Sequence, residues 1–330
     1  MEYTTLGDTG LTVSRICLGC MSFGSTDWHE WVLGEAESRP IIEEAIDLGI
    51  NFFDTANEYS VGESERILGS VLAEYDPDWP VVSTKGFYST DESNPNAQGL
   101  SRKAIERALE ESLDRLGMET IDLYQIHRWD YETPIEETLR ALDDAVRRGQ
   151  VRYLGASSMW AYQFTEALHT ADRLGLDRFV SMENHYNLTY REEEREMLPL
   201  CEREGIGVMC WSPLARGYLT RPHEHLLETF RGRYMDTDSH KSRRVANYRA
   251  NGGDEINERV EELAARKGVT MAQISLAWLL HQDVVDAPIV GVTSVEHLED
   301  AVEALDVDLS EDELAYLEDP YGPVEVNGHH

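Results

Sequence analysis

The sequence predicts an α/β fold, a (β/α)8 TIM barrel in which helices surround a closed parallel sheet. Eight short apolar segments alternate with helical patterns along the 330 residues, as expected for parallel strands buried on both faces. At five places a glycine ends a helical pattern just before an apolar segment, which is typical of the joint between a helix and the next strand. Eight such units in about 300 residues fit this barrel.

An open, doubly wound parallel sheet is the alternative fold. It is typically marked by a Gly-x-Gly-x-x-Gly motif after the first strand. The sequence at that point is GCMSFG, residues 19–24, which does not have this spacing. The barrel is therefore favoured, and we expect a single domain over residues 1–330 without an internal linker.

An N-terminal β-hairpin is the first predicted element, at residues 3–16 with GDTG as its turn. We expect this hairpin to close the bottom of the barrel. The eight barrel strands are predicted at 16–19, 50–54, 80–84, 121–126, 151–156, 179–183, 206–210 and 287–291.

Helices are predicted where apolar residues recur every three or four positions, most clearly in 101–116 and 133–148. The second of these begins with TPIE, in which we expect Thr133 to be the N-cap of a capping box. Pro134 then stands at the first helical position, where proline is favoured. The same capping-box pattern occurs in TSVE, 293–296, and in SEDE, 310–313.

The chain is strongly acidic, with 29 Lys and Arg against 63 Asp and Glu and a net charge of −34. Such a field repels nucleic acids and anionic lipids, so we expect neither as a partner. Lysine is rare, with four in the chain. An acid-rich, lysine-poor surface indicates a halophilic cytoplasm of very high salt, where screening removes the self-repulsion. An ordinary acidic protein is the alternative.

No apolar segment is long enough to span a membrane, and the N-terminus lacks the pattern of a signal peptide. We therefore expect a soluble cytoplasmic protein. Cys17 and Cys20 have no second cysteine pair at zinc-binding spacing, and HEH at 223–225 lacks the H-E-x-x-H spacing. We expect no metal site and four cysteines that act as small buried apolar residues.

Two connections are longer than ordinary barrel loops: residues 20–38, and about 212–253 after the seventh strand. The second is basic, since eight bases minus four acids give +4 over 216–249. We expect this loop to fold over a polyphosphate ligand, and contact with an acidic surface of the same protein is the alternative. The bases are Arg216, Arg221, Arg231, Arg233, Lys241, Arg243, Arg244 and Arg249.

Polar residues follow three consecutive strands at the barrel end where chemistry gathers. They are Asp54 and Tyr59 after the second strand, Lys85 at the end of the third, and His127 after the fourth. Each alone has an ordinary structural explanation, but together they suit carbonyl reduction. Tyr59 is then the proton donor, with a pKa lowered by Lys85, whose charge Asp54 maintains. A neutral His127 hydrogen-bonds the carbonyl oxygen.

The motifs around these residues resemble the aldo-keto reductase superfamily. The matching stretches are GINFFDTANEY, STKGF, TIDLYQIHRWD, RYLGASS, WSPLARG and PIVGVTSVEHLEDAV, over about residues 3–318. The likeness is nearest to the prokaryotic branch that also resembles the potassium-channel beta subunits. It implies a barrel that binds NADP(H), or alternatively NAD(H), across its rim. It also implies a catalytic tetrad of Asp54, Tyr59, Lys85 and His127.

The resemblance further implies where the cofactor and substrate bind. Ser157 and Ser158 match the positions that hold the nicotinamide carboxamide, and Trp211 matches the aromatic residue stacked on the nicotinamide ring. The cofactor-binding set is Cys20, Met21, Asp54, Ser157, Ser158, Glu183, Trp211, Ser212, Pro213, Leu214, Arg216, Arg243, Arg244, Gly291, Thr293, His297 and Asp300. Aromatic residues near the tetrad predict an apolar substrate pocket lined by Trp28, Trp31, Tyr88 and Trp129.

Three positions depart from the family pattern. Glu183 replaces the glutamine that usually bonds the carboxamide, and a carboxylate accepts hydrogen bonds but does not donate them. His297 replaces an arginine that is frequent in NADPH-preferring members, and a neutral imidazole is a weak phosphate ligand. The preference between NADP(H) and NAD(H) is therefore left open. Ala301 replaces a frequent asparagine near the adenine.

These observations predict an NADP(H)-dependent oxidoreductase that reduces small aldehydes or ketones to alcohols. One alternative is a slow-turnover, cofactor-sensing regulatory subunit. The presence of the tetrad does not distinguish such a subunit from an enzyme. The other alternative is a metal-dependent barrel hydrolase. Such an enzyme needs a cluster of His and Asp at the strand ends, and the sequence shows only one His there. The physiological substrate, the oligomeric state and the direction of flux are not predicted.

Overall fold

Eight parallel strands close into a barrel in this computed structural model, which describes residues 1–228 and 248–329. The barrel strands are β3 (Cys17–Gly19), β4 (Phe52–Asp54), β5 (Val81–Gly86), β6 (Ile121–Ile126), β7 (Val151–Ser157), β8 (Phe179–His185), β9 (Gly207–Trp211) and β10 (Ala287–Gly291). They follow in chain order around the barrel, and β10 pairs with both β9 and β3. Each coincides with a predicted strand, which confirms the TIM barrel.

An antiparallel hairpin, β1 (Tyr3–Thr5) and β2 (Thr12–Ser14), precedes the barrel as predicted. Its Leu6 and Val13 are fully buried against apolar side chains of the barrel strands. Those side chains belong to Cys17, Phe52, Val81, Leu123, Met209, Ala287 and Ile289. This apolar layer closes the N-terminal end of the barrel, so the polar side chains of the interior lie toward the opposite end.

Helices surround the barrel, and a second, larger apolar core lies where they pack against the strands. Their bounds are α1 (Glu35–Asp47), α2 (Glu63–Leu72), α3 (Arg102–Leu116), α4 (Ile135–Arg147), α5 (Ala161–Leu174), α6 (Met197–Glu204), α7 (Gly253–Lys267), α8 (Met271–Leu280), α9 (Val295–Glu303) and α10 (Glu311–Glu318). The five glycines at the predicted helix–strand joints have φ between 64° and 85°. Glycine adopts this left-handed region without steric cost, which confirms these joints.

One of the three predicted capping boxes forms as expected, at Ser310 of α10. The prediction for Thr133 is wrong, because α4 begins one residue later with Pro134 at its N-cap position. The Thr133 hydroxyl instead donates to the Asp130 carboxylate at 2.8 Å. Helix α9 also begins one residue later than predicted, with Ser294 as its cap.

All four cysteines are free and buried, which confirms the prediction that they behave as core residues. Within residues 1–228 and 248–329, no group of three or more His, Cys, Asp or Glu is arranged to hold a metal ion. Among the helices of those same residues, none is long and apolar enough to cross a membrane.

Candidate active site

A buried ion pair occupies the C-terminal half of the barrel interior. Asp54 ends β4 and is paired in register with Ser83 of β5. Lys85 lies two residues further along β5, on the same face of the strand as Ser83. Its ammonium donates to Asp54 Oδ2 at 2.5 Å and to the Thr55 carbonyl at 2.9 Å. Both side chains are buried, so the ammonium is held in one position.

Tyr59 reaches this pair from the loop after β4. Its hydroxyl lies 3.4 Å from Lys85 Nζ, and its ring is buried. Ser60 and Val61 of this loop have φ of 50° and 54°, a region that residues other than glycine adopt only where the surrounding structure imposes it. The Ser60 hydroxyl also accepts a hydrogen bond from the Ser25 amide at 3.2 Å. These constraints fix the phenol beside the ammonium.

His127 follows β6 and completes the predicted group of four. Its ring lies edge-on to the Tyr59 ring, with centroids 6.0 Å apart, and it is buried. Burial, with smaller contributions from Arg128 and Lys85, places the pKa of His127 well below its usual value. The imidazole is therefore neutral at pH 7 and is suited to hydrogen-bonding a carbonyl oxygen.

The charges of the other three residues are set by burial and by their neighbours. Burial raises the pKa of Tyr59 above its usual value, and Lys85 opposes this increase without cancelling it. The prediction of a lowered Tyr59 pKa is therefore wrong for the free protein. Burial alone lowers the pKa of Lys85, but Asp54 and Glu183 outweigh this effect and raise it well above its usual value. Burial and Glu183 raise the pKa of Asp54 to about 7 against the influence of Lys85.

Glu183 of β8 also contacts the lysine, which the sequence did not indicate. Its Oε2 lies 3.3 Å from Lys85 Nζ and accepts a hydrogen bond from Gln125 at 2.9 Å. Gln125 donates to the Ser83 hydroxyl at 2.8 Å, and Ser83 donates to Asp54 Oδ1 at 3.0 Å. Ser83 and Gln125 were missed although each stands two residues before a predicted site residue, on the same face of its strand.

A second group at the barrel rim brings together residues predicted to hold the nicotinamide. Trp211 Nε1 donates to Ser158 Oγ at 2.9 Å, and the Ser157 hydroxyl donates to the Glu183 carbonyl at 3.2 Å. One face of Trp211 is covered by His185, whose ring is nearly parallel to it at a centroid distance of 4.0 Å. The stacked His185 ring and the hydrogen bond to Ser158 thus fix the orientation of the Trp211 ring.

The segment after β9 turns sharply where the pyrophosphate is predicted. Ser212, Ala215 and Arg216 all have φ near 50°, between 48° and 57°. Asn187 donates to the Ser212 carbonyl at 2.9 Å and fixes the start of this turn. Pro213 and Leu214 lie within the same turn.

The predicted basic loop is described only in part. Arg249 contacts Asp254 of the same chain at 3.1 Å, as in the alternative explanation for this loop. The residues of the loop that lie outside the described part of the chain include Arg231, Arg233, Lys241, Arg243 and Arg244.

The residues predicted around the adenine lie at the end of β10 and the start of α9. Thr293 Oγ1 lies 3.4 Å from His297 Nδ1. Asp300 accepts a hydrogen bond from the Thr270 hydroxyl at 3.0 Å, so it is engaged by its own chain. Gly291 ends β10 and is exposed. At the neighbouring rim position after β3, Cys20 is buried and Met21 is partly exposed.

The four predicted substrate residues lie at different distances from the site. The Trp28 ring lies 6.2 Å from the Tyr59 ring, and the Tyr88 ring lies 5.1 Å from the His127 ring. Trp31 reaches the site indirectly, since its ring lies 6.4 Å from that of Trp28. Trp129 packs against the larger hydrophobic core.

The C-terminal segment adds contacts at the same rim that the sequence did not predict. Tyr131 donates to the His329 carbonyl at 2.9 Å, and the His329 ring lies edge-on to Trp160 at 4.7 Å. Gly328 lies so close to Trp211 that a Cβ there would be 3.5 Å from the indole. Irregular segments of this kind have no periodicity from which their path can be read.

A closed parallel barrel with a buried carboxylate, lysine, phenol and imidazole at its C-terminal end has the form of a barrel enzyme. The aldo/keto reductase family profile matches residues 15–321. The chain belongs to this family, and it is an oxidoreductase.

Fungal proteins are among its similar relatives. It is 44% identical over 350 residues to a putative aryl-alcohol dehydrogenase of Schizosaccharomyces pombe, covering 99% of this chain and 97% of the relative. It is 43% identical to versiconal hemiacetal acetate reductase of Aspergillus parasiticus, covering 99% of each chain. These relatives do not support the predicted prokaryotic, channel-subunit-like branch or a halophilic source.

Proposed function

We propose that this protein reduces aldehydes or ketones to alcohols with NADP(H), and that Tyr59 is the general acid. The observation that supports this most directly is the position of the Tyr59 hydroxyl, 3.4 Å from an ammonium that Asp54 holds at 2.5 Å. A phenolate formed by proton transfer is stabilised by that cation. Members of the aldo/keto reductase family generally use a nicotinamide cofactor.

The rim residues have the chemistry that a nicotinamide dinucleotide requires. Ser157 and Ser158 supply hydroxyl groups for the carboxamide, Trp211 supplies a flat apolar surface, and Arg216 in the turn after β9 supplies a cation for phosphate. When bound, the cofactor supplies the hydride. Because His297 replaces the usual arginine, we expect NADP(H) to be preferred over NAD(H) only modestly.

The protein residues position the substrate, donate the proton and stabilise the charge that remains. His127, neutral, hydrogen-bonds the substrate oxygen and places it beside Tyr59. Tyr59 donates its proton to that oxygen as the carbon accepts the hydride. Lys85 stabilises the phenolate left on Tyr59, and Asp54 keeps Lys85 in place.

We propose aromatic aldehydes, and the corresponding aryl alcohols in the reverse direction, as the substrate class. Trp28 and Tyr88 lie beside Tyr59 and His127, at ring distances of 6.2 and 5.1 Å. An aromatic substrate ring would be stabilised beside these side chains, because its apolar surface is buried and the rings can pack edge-to-face or offset. Three relatives carry the name putative aryl-alcohol dehydrogenase. We therefore propose a carbonyl reductase or alcohol dehydrogenase, EC 1.1.1.-, as the enzyme class.

The Tyr59→Phe variant tests the proposal, with Tyr3→Phe as the matched control on the exposed hairpin. The rate of NADPH-dependent reduction of benzaldehyde is expected to fall at least about 100-fold in Tyr59→Phe. NADPH binding and the Tyr3→Phe rate should not change. Undiminished turnover by folded Tyr59→Phe would exclude Tyr59 as the acid.

A further inference from the structure

Three charged side chains are buried together in the barrel and form what we call the carboxylate–lysine triad: Asp54, Lys85 and Glu183. The ammonium lies 2.5 Å from Asp54 and 3.3 Å from Glu183. The side chains of the three are exposed by only 2, 0 and 4% in that order. One ammonium and two carboxylates sum to a formal charge of −1.

The neighbouring titratable groups do not offset this charge. In the described part of the chain, five titratable groups that interact electrostatically with the triad are Cys17, Cys20, Tyr59, His127 and Cys210. Burial raises the pKa values of the three thiols and the phenol, and it lowers the pKa of the imidazole. All five are therefore neutral at pH 7. Charge in such an interior is weakly screened and acts strongly on nearby groups.

Glu183 is also connected to the surface on which the nicotinamide is proposed to bind. Its backbone carbonyl accepts hydrogen bonds from the Ser157 hydroxyl and the Ser158 amide, both at 3.2 Å. Ser158 in turn accepts the hydrogen bond from Trp211. Glu183 thus contacts both groups of residues: its backbone carbonyl binds the two serines, and its carboxylate contacts Lys85.

We propose that Glu183 gives the triad a net negative charge that favours the oxidised cofactor, whose nicotinamide ring is cationic, over the reduced cofactor, whose ring is neutral. This inference rests on the proposed function. With glutamine at position 183, the pair Asp54 and Lys85 would be neutral overall, and the preference would be lost. On the enzyme, Glu183 shifts the equilibrium toward alcohol oxidation.

The preference should depend on pH. The pKa of Asp54 is raised to about 7, through burial and Glu183 acting against Lys85. Below that pH the triad gains a proton and loses its net charge, and above it the charge of −1 is complete. Binding of a cationic ring favours the ionised carboxylates, so oxidised cofactor should release protons on binding near pH 7.

Calorimetric titration of the whole protein with NADP⁺ and with NADPH tests this inference. The measured quantity is the ratio of the two dissociation constants, reduced over oxidised, at about pH 8. We expect Glu183→Gln to lower this ratio about tenfold, which corresponds to about 1.4 kcal/mol. Further titrations at about pH 7, in two buffers of different ionisation enthalpy, count the protons released on NADP⁺ binding. Glu183→Gln should release fewer protons than the native protein.

Two further variants separate charge from structure. Glu183→Asp keeps the charge and should keep the ratio, even if both affinities fall. Asp286→Asn removes another buried carboxylate, one that accepts from the Gly7 and Val208 amides at the opposite end of the barrel. Its ratio should match that of the native protein.

An unchanged ratio in folded Glu183→Gln would overturn the inference, as would an equal change in Asp286→Asn. If the native protein binds neither form of the cofactor, the proposed function fails instead. The two failures are therefore distinguishable in one set of titrations.

Discussion

The Lys85 ammonium lies 3.4 Å from the Tyr59 hydroxyl and 5.1 Å from the centre of the Tyr59 ring. Burial nevertheless keeps the pKa of this phenol above its usual value. Tyr59 is therefore protonated at neutral pH, as a proton donor must be. The lysine contributes most when negative charge develops on the phenol oxygen during proton transfer.

Replacing Lys85 with methionine should impair both activity and stability. Tyr59 would lose its nearby cation, so we expect the reduction rate to fall at least about 100-fold. Asp54 and Glu183 would lose their shared partner, which should cost about 3–5 kcal/mol of unfolding free energy. Steady-state kinetics and urea unfolding of the variant measure the two effects. A rate close to that of the native protein would contradict the role given to Lys85.

The raised pKa of Asp54 predicts a pH-dependent stability. The folded-state pKa is about 7 and the ordinary value is 3.8, so the folded protein holds this proton more tightly. The stabilisation is complete below the unfolded pKa and is lost as pH rises through about 7. Between these limits, Asp54→Asn should remove a slope of up to about 1.4 kcal/mol per pH unit.

Urea unfolding of the native protein and Asp54→Asn, from about pH 5 to about pH 8, measures this difference. The unfolding free energy of the native protein should decrease relative to that of the variant as pH rises. Parallel curves for the two proteins would show that Asp54 does not titrate in this range.

Gly69 should not tolerate a side chain. It lies in α2 against α3, and a Cβ added there would be 2.3 Å from the Leu116 carbonyl oxygen. Gly69→Ala must separate the two helices, at a cost of about 1–3 kcal/mol. Gly10→Ala is the control, because a Cβ there would meet no atom within 4 Å. Equal melting temperatures for the two variants would contradict this packing.

Salt should stabilise the protein because its acidic side chains repel one another. The net charge is −34, and its self-repulsion is screened as the Debye length falls from about 10 Å at 0.1 M to about 3 Å at 1 M salt. We expect the melting temperature to rise steeply between these concentrations of KCl. A matched series in sucrose controls for general solute effects, and a flat response to KCl would show that charge repulsion does not limit stability.

The strands, and most of the four residues proposed as catalytic, could be predicted because apolar strand segments have recognisable ends. In the sequence the apolar strand segments give way to polar residues at their C-terminal ends, so Asp54, Lys85 and His127 stood out there, although all three are buried. The interior contacts of Glu183 were harder to predict, since they depend on which strands face one another across the barrel.

Other features depend on local competition that a sequence pattern does not reveal. Thr133 was predicted as a helix cap, but its hydroxyl bonds Asp130 instead, and that carboxylate also accepts from the Leu100 amide at 2.7 Å. The net pKa of Tyr59 likewise depends on burial opposing Lys85, and the extent of burial is known only from the fold.

A titration with NADPH that follows tryptophan fluorescence tests the proposed cofactor site most directly. Trp211 is expected to lie against the nicotinamide, so NADPH should quench the fluorescence of the native protein and of Trp79→Phe, which alters an exposed tryptophan. Trp211→Phe should lose most of the quenching. A parallel titration with NADH measures the preference between the two cofactors. If neither cofactor quenches the folded native protein, it does not bind a nicotinamide cofactor at this site.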